Sequence, residues 1–292
     1  MHIITGGTGN VGTVLSHALL DKKEKITIVS RSSMNVERWA SQGAHVAVAD
    51  IYNTEAIHEI FQTGSAIFLL NPPADPMTDV ETLELKSVNS LLQALKNIHV
   101  EKIVVQSTMG AQKGKSIGDL GILHELEQGV ARLGQPYSII RPAYFMSNWA
   151  NLLTQVIKQS ELTSFYPADL KIPMVAPQDI GNLAAELMTK TNTPIINNIE
   201  GPETYSPNDV AIAFSEALNK KVKVTVVPQE EWMATFLKMG FSRKAAKSFT
   251  GMTEVSLKIF RSQPDNHDNI RGKVSLQNYI NDFVKSRNQL KH

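Results

Sequence analysis

Apolar residues follow two rhythms along this chain, and they alternate from the start. Ile3-Ile4 is a short apolar run that stops at glycines, and from Val11 the apolar positions fall at helical spacing, Val11, Val14, Leu15, Ala18 and Leu19. The pattern then predicts a strand over 26–29, a helix over 36–42 stopped by Gly43, and a strand over 45–49. Asn53 can cap a helix over 54–61 that carries Ala56, Ile57, Ile60 and Phe61 on one side. The continuous apolar run 66–70 reads as a strand buried on both faces. A helix over 80–97, a strand over 102–107, a glycine-bearing loop over 110–118, a helix over 120–133 and a strand over 137–140, ended by Arg141-Pro142, complete this half. Such alternation predicts a doubly wound parallel sheet with helices on both faces, and in such sheets ligands lie at the carboxyl ends of the strands.

The second half loses that regularity. A helix is predicted over 148–159 and loop over 160–173; Pro177 can occupy the first position of a helix over 178–190, and 195–199 reads as a strand. Ser206 and Asp209 form an aspartate version of the capping box for a helix over 210–218, 222–227 alternates like a half-exposed strand, and from Glu230 the pattern is helical and amphipathic. No internal repeat, low-complexity tract or clear linker divides the chain. The expected organisation is a Rossmann-type domain over 1–150, with a returning segment near 174–199, and a smaller, mainly helical substrate lobe over 151–292 that folds over the mouth of the first.

The junction of the first strand and helix carries the candidate chemistry. It reads Thr5-Gly6-Gly7-Thr8-Gly9-Asn10-Val11-Gly12. A strand, a glycine turn and a helix start put free N–H groups and the positive end of a helix dipole at one point, where a pyrophosphate fits. Gly6 allows the turn, Gly9 lets phosphates approach the backbone, and Gly12 lets the helix pack close to the strand. After the second strand, where a carboxylate would bind the ribose 2′-hydroxyl of NAD, the sequence is Ser30-Arg31-Ser32-Ser33. Arg31 can pair with a 2′-phosphate and the serines can donate to it, so the expected cofactor is NADP(H).

Composition narrows the classes. The chain has 292 residues, a net charge of +1 and no cysteine. The near-zero charge does not favour nucleic acid, and the missing cysteines exclude disulfides, thiol nucleophiles and thiolate metal sites. The eight histidines show no H-E-x-x-H or paired ligand spacing, so no metal site is expected. There is no G-x-S-x-G and no Walker A lysine. No apolar run is long enough to span a bilayer, and a strand at the first residues leaves no room for a signal peptide; the expectation is a cytoplasmic protein without a membrane partner. Lys238, Arg243, Lys244 and Lys247 are expected on a solvated helix face, and Trp232, Phe236, Met239 and Phe241 as core or pocket lining.

The glycine motif, Ala49-Asp50, the run from Phe68 to Pro73, Ser107-Thr108 and the segment from Ile139 to Asn148 (Ile-Ile-Arg-Pro-Ala-Tyr-Phe-Met-Ser-Asn) together resemble the short-chain dehydrogenase/reductase superfamily in its atypical NmrA-like branch. Gly201-Pro202-Glu203 and Val226-Val227-Pro228 resemble its C-terminal part, so the likeness covers nearly the whole chain. The resemblance implies that Gly6, Thr8, Gly9, Asn10 and Val11 hold the pyrophosphate, and that Asp50 and Ile51 meet the adenine. Leu70, Asn71 and Pro72 would line the ribose. Ser107, Thr108, Pro142, Ala143, Tyr144 and Phe145 would flank the nicotinamide. Relatives include quinone and azo-compound reductases, and others that bind NADP as redox sensors of a protein partner.

One departure bears on the chemistry. The superfamily's usual proton donor is the tyrosine of Tyr-x-x-x-Lys, and none of the six tyrosines here has a lysine four places on. Reducing a ketone develops a basic alkoxide that needs a nearby acid, whereas a quinone develops a delocalised anion that can take its proton from water. The expectation is therefore an NADPH-dependent reductase of quinone-like, electron-poor acceptors, with open space beside the nicotinamide under Tyr144, Met146 and Trp149. His124 is a candidate to donate a proton or orient the acceptor, Tyr144 to hydrogen-bond its carbonyl, and Ser107 to hold the nicotinamide ribose or carboxamide. The alternative is a non-catalytic NADP sensor acting through a partner protein; a homodimer is open in either case.

Overall fold

In the first strand, β1 (His2–Thr5), Ile3 and Ile4 are both fully buried and point to opposite faces, as strand geometry requires. Ile3 joins a core with Ile57, Phe61, Leu91 and Leu126, while Ile4 joins another with Val11, Leu15, Ile180 and Ala184. The computed structural model describes residues 1–262 and 268–289. In its first half, β1, β2 (Ile26–Ser30), β3 (His45–Val48), β4 (Ala66–Leu69), β5 (Lys102–Gln106) and β6 (Tyr137–Pro142) alternate with α1 (Asn10–Asp21), α2 (Val36–Ala40), α3 (Thr54–Gln62), α4 (Val80–Ala94) and α5 (Asp119–Ala131). Asn53 caps α3 as the sequence predicts, its Oδ1 accepting from Ala56 N at 3.1 Å.

The second half adds β7 (Tyr144–Phe145), α6 (Met146–Ala150), α7 (Leu153–Gln159), β8 (Glu161–Ser164), β9 (Ile172–Val175), α8 (Pro177–Thr189) and β10 (Ile196–Glu200). It continues with β11 (Thr204–Tyr205), α9 (Pro207–Leu218), β12 (Lys223–Val226), α10 (Trp232–Lys238), α11 (Arg243–Ser262), β13 (Ile270–Arg271) and α12 (Leu276–Gln289). The central sheet has eight strands in the order β13-β10-β6-β5-β4-β1-β2-β3, and every pair in it is parallel. The order reverses between β1 and β4, which opens a crevice at their carboxyl ends. Helices α1 and α8 cover one face, α3, α4 and α5 the other. A third core, with Trp149, Tyr166, Phe214, Trp232 and Ile280, belongs to the second half. Ser206 and Asp209 make the predicted capping box on α9.

Several expectations need correction. The helix over 148–159 is two helices, separated at 151–152 where Leu152 N donates to Trp149 O, three residues back, at 3.0 Å. The loop over 160–173 contains β8 and the start of β9; β8 pairs in parallel with β12, and β9 holds Pro173, a residue that weakens a strand signal. The helical tail is interrupted by β13, two exposed residues that extend the sheet beside β10 without any apolar alternation to announce them. Residues 263–267 and 290–292 of that tail lie outside the described residues. Among the described residues no helix is long and apolar enough to cross a membrane, and no three His, Asp or Glu side chains are grouped to hold a metal.

Candidate functional site

The carboxyl ends of β2, β1, β4 and β5 border a cavity of about 550 Å³. At β1 the chain turns through Gly6, whose φ of +67° favours glycine, and Gly9 N donates to Gly6 O at 3.0 Å. Gly9 is the N-cap of α1, and no side chain caps that helix, so its first-turn amides open toward the cavity lined by Gly6, Thr8, Gly9, Asn10 and Val11. A Cβ on Gly12 would lie 2.1 Å from Gly6 O, so Gly12 serves the packing of helix on turn and does not line the cavity. Thr5 Oγ1 donates to Phe68 O at 3.1 Å and accepts from Leu70 N at 2.7 Å, which fixes the end of β4 against the turn. These residues fit a dinucleotide diphosphate: donors without acceptors, a positive helix end, and glycines where side chains would intrude.

Arg31 is exposed on the rim of the same cavity, beside Ser30. Ser32 Oγ accepts from Met34 N at 3.1 Å and caps a short turn of 3₁₀ helix. Ile51 lines the cavity with Ala49, but Asp50 does not: its Oδ1 accepts from Tyr52 N at 2.9 Å and closes a local turn.

Past β4, Leu70, Asn71, Pro72 and Pro73 form the wall. Asn71 Oδ1 accepts from Ser87 Oγ at 2.5 Å, which locks its orientation. Past β5, Gln106, Ser107 and Thr108 line the floor, and Gln106 Oε1 is a buried acceptor without a hydrogen-bond partner. Ser107 Oγ donates to Glu127 Oε1 at 2.5 Å, and Arg141 grips the same carboxylate through Nε at 2.9 Å and Nη2 at 2.5 Å. Arg141 is thereby held above its ordinary pKa, first by its hydrogen bonds to Glu127. The Ser107 proton is committed to that network, so this hydroxyl faces the cavity as an acceptor.

The residues expected to flank a nicotinamide are placed differently from that reading. Phe145 lines the cavity, but Pro142, Ala143 and Tyr144 do not. Tyr144 lies in an aromatic cluster with Trp149 and Tyr166, each 5.7 Å away, and Phe260 at 6.2 Å. Burial pushes its phenol up to about 12, against a hydrogen bond with Asn148, and it is Asn148 that reaches the cavity. Met146 and Trp149 are buried in the lobe core and do not line this cavity. His124 is partly buried and outside the lining, because the residues of α5 that face the cavity are Asp119 and Leu123, four apart, and His124 is rotated off that line. Phe145 and Asn148 are what the second half gives to this lining; α11 and the residue before it tie down the cavity's loops, with Ser242 N donating to Pro76 O at 2.8 Å and Gly118 N to Ser248 Oγ at 3.0 Å. The basic residues Lys238, Arg243, Lys244 and Lys247 are exposed as expected; Trp232 and Phe236 are core and Phe241 packs partly buried against it, but Met239 is exposed.

Two further carboxyls line the cavity, Glu84 and Asp119. Glu84 occupies the buried stripe of α4 with Val80, Ser87, Val88 and Leu91, and an acid on an apolar stripe is the signal that marks it in the sequence. Its Oε1 accepts from Ala74 N at 2.9 Å. Burial first, and Asp119 next, push Glu84 up to about 8. Asp119, first residue of α5, is open to the cleft with protein around it, and desolvation raises its carboxyl too.

A parallel sheet in this strand order, with its cavity at the reversal, defines a Rossmann-type α/β protein. The chain belongs to the NmrA-like family, whose model matches residues 2–270. It is 21% identical over 250 residues to an NAD(P)H azoreductase of Xenophilus azovorans, covering 84% of each chain. Its fold is similar to the crystal structure of an NADPH-dependent quinone oxidoreductase from Escherichia coli complexed with NADPH, at a TM-score of 0.74, 18% identity and 100% of both chains. It is also similar to a structure described as a nucleoside-diphosphate-sugar epimerase from Staphylococcus aureus, at a TM-score of 0.78 and 19% identity, covering 96% of this chain and 99% of that one.

Proposed function

We propose that this protein is an NADPH-dependent reductase of quinones or similar electron-poor acceptors. The observation that carries the reading is the uncapped start of α1 opening into a cavity whose rim bears Arg31 and no competing acid at the end of β2. The amides of Asn10 and Val11 would hold the diphosphate, Arg31 the 2′-phosphate, Ala49 and Ile51 the adenine, and Leu70 to Pro72 the ribose. When bound, the reduced nicotinamide supplies a hydride. Gln106 Oε1 is a free acceptor for an amide donor at that end, and Asn148 and Phe145 close the far wall. The relatives named for azo and quinone reduction support this acceptor class, and the missing Tyr-x-x-x-Lys weighs against sugar epimerisation.

The test is to mix protein, NADPH and a panel of quinones and azo dyes and follow the absorbance of reduced nicotinamide. Loss of absorbance in proportion to protein is expected. Tight NADPH binding with silence across the panel would overturn the reductase and leave a dinucleotide sensor.

A further inference from the structure

We propose that Glu84 and Asp119 share one proton at neutral pH, and that Asp119 delivers it to the acceptor, in the role a tyrosine has in related reductases. This rests on the reductase reading above.

The geometry is specific. Glu84 is 6% exposed on α4, Asp119 opens the neighbouring helix α5, and both line the one cavity, where each acts on the other's ionisation. Two neighbouring carboxylates in one cavity, one of them desolvated, do not both stay ionised, and a single proton satisfies the pair. The other charged side chain acting on Glu84 is Glu81, also an acid, whose Oε1 accepts from Ser116 N at 2.7 Å. The Tyr52 phenol, raised first by burial and then by Asp50 and Glu84, stays neutral and adds no charge beside the pair. The Ala74 amide and the start of α5 are the donors facing the pair, and they stabilise the anion left after the proton departs. Position is fixed from both sides. Ser87 Oγ donates to the Glu84 carbonyl at 2.9 Å, and Ser248 of α11 holds the amide of Gly118, which has a φ of +52° and precedes Asp119.

The step balances simply. A hydride reaching a quinone or azo acceptor leaves a lone pair on oxygen or nitrogen. The O–H bond of the Asp119 carboxyl breaks and an O–H or N–H bond of the product forms. The acceptor gains two electrons, the dinucleotide loses them, and the dianionic pair regains a proton from water through the open side of Asp119. A delocalised quinone anion depends little on this acid, whereas the more basic nitrogen anion of an azo acceptor depends on it strongly.

Infrared spectra of the cofactor-free protein at pH 7 provide a readout independent of turnover. The carbonyl stretch of a protonated carboxyl is expected in the wild type and lost in Glu84→Gln; its absence in the wild type overturns the shared proton. In steady-state kinetics, Asp119→Asn is expected to lower kcat about 100-fold with the azo dye methyl red, and less than about tenfold with menadione, with KM little changed. Equal losses on both acceptors, or none, in an enzyme that still turns over, overturn the donor and leave the reductase standing. A wild type that reduces neither class overturns both.

Discussion

Two buried glutamates on adjacent helices, Glu84 lining the cavity and Glu127 behind its lining residue Ser107, have opposite surroundings. Glu127 on α5 is 2% exposed and meets Arg141 and Ser107; Glu84 on α4 is 6% exposed and meets Asp119. Burial is nearly equal, so the partner decides what each can do. With a guanidinium and a hydroxyl, Glu127 is a fixed brace between α5, β5 and β6. With another acid beside it, Glu84 shares a proton with Asp119, and a pair that holds a proton near neutral pH can give it away through Asp119.

The largest effect expected on this contrast comes from Arg141→Met. It strands the Glu127 charge in the interior, and chemical denaturation should show a loss of about 3–5 kcal/mol. Glu84→Gln should act in the other direction. The folded protein raises the Glu84 carboxyl from 4.5 to about 8, so between those values the folded state binds more protons than the unfolded one and stability falls as pH rises. The variant should flatten that fall and gain on the order of 2 kcal/mol at pH 8; an unchanged pH–stability curve would break the contrast. Ser107→Ala is the smallest step. Arg141 still satisfies Glu127, so a loss of about 1 kcal/mol is expected by the same denaturation measurement. A loss as large as that of Arg141→Met would mean that the hydroxyl, not the guanidinium, holds the brace.

Much of the frame was legible in the chain because its signals are local. The turn at Gly6, the packing at Gly12 and the caps at Asn53 and Ser206 involve residues within a few places of one another. The site's acids were not, because Glu84 and Asp119 come from two helices and only the fold brings them together. Tyr144 was misplaced for a related reason. Its segment runs along the cavity, but alternate residues of β7 face opposite ways, so Phe145 enters and Tyr144 turns into the aromatic core. His124 failed by a single helical step from Leu123. Strand β8 was invisible as a strand because its partner, β12, lies far along the sequence, and four residues carry little periodicity.

The central claim is that the amides at the start of α1 and the guanidinium of Arg31 hold a phosphorylated nicotinamide dinucleotide. Calorimetric titration with NADPH and NADH, on the wild type and on Arg31→Glu, tests it most directly. The account predicts saturable binding to one site, NADPH favoured over NADH by about 10–100-fold, and that preference erased by the substitution. Absence of NADPH binding, or a preference that survives Arg31→Glu, would contradict it.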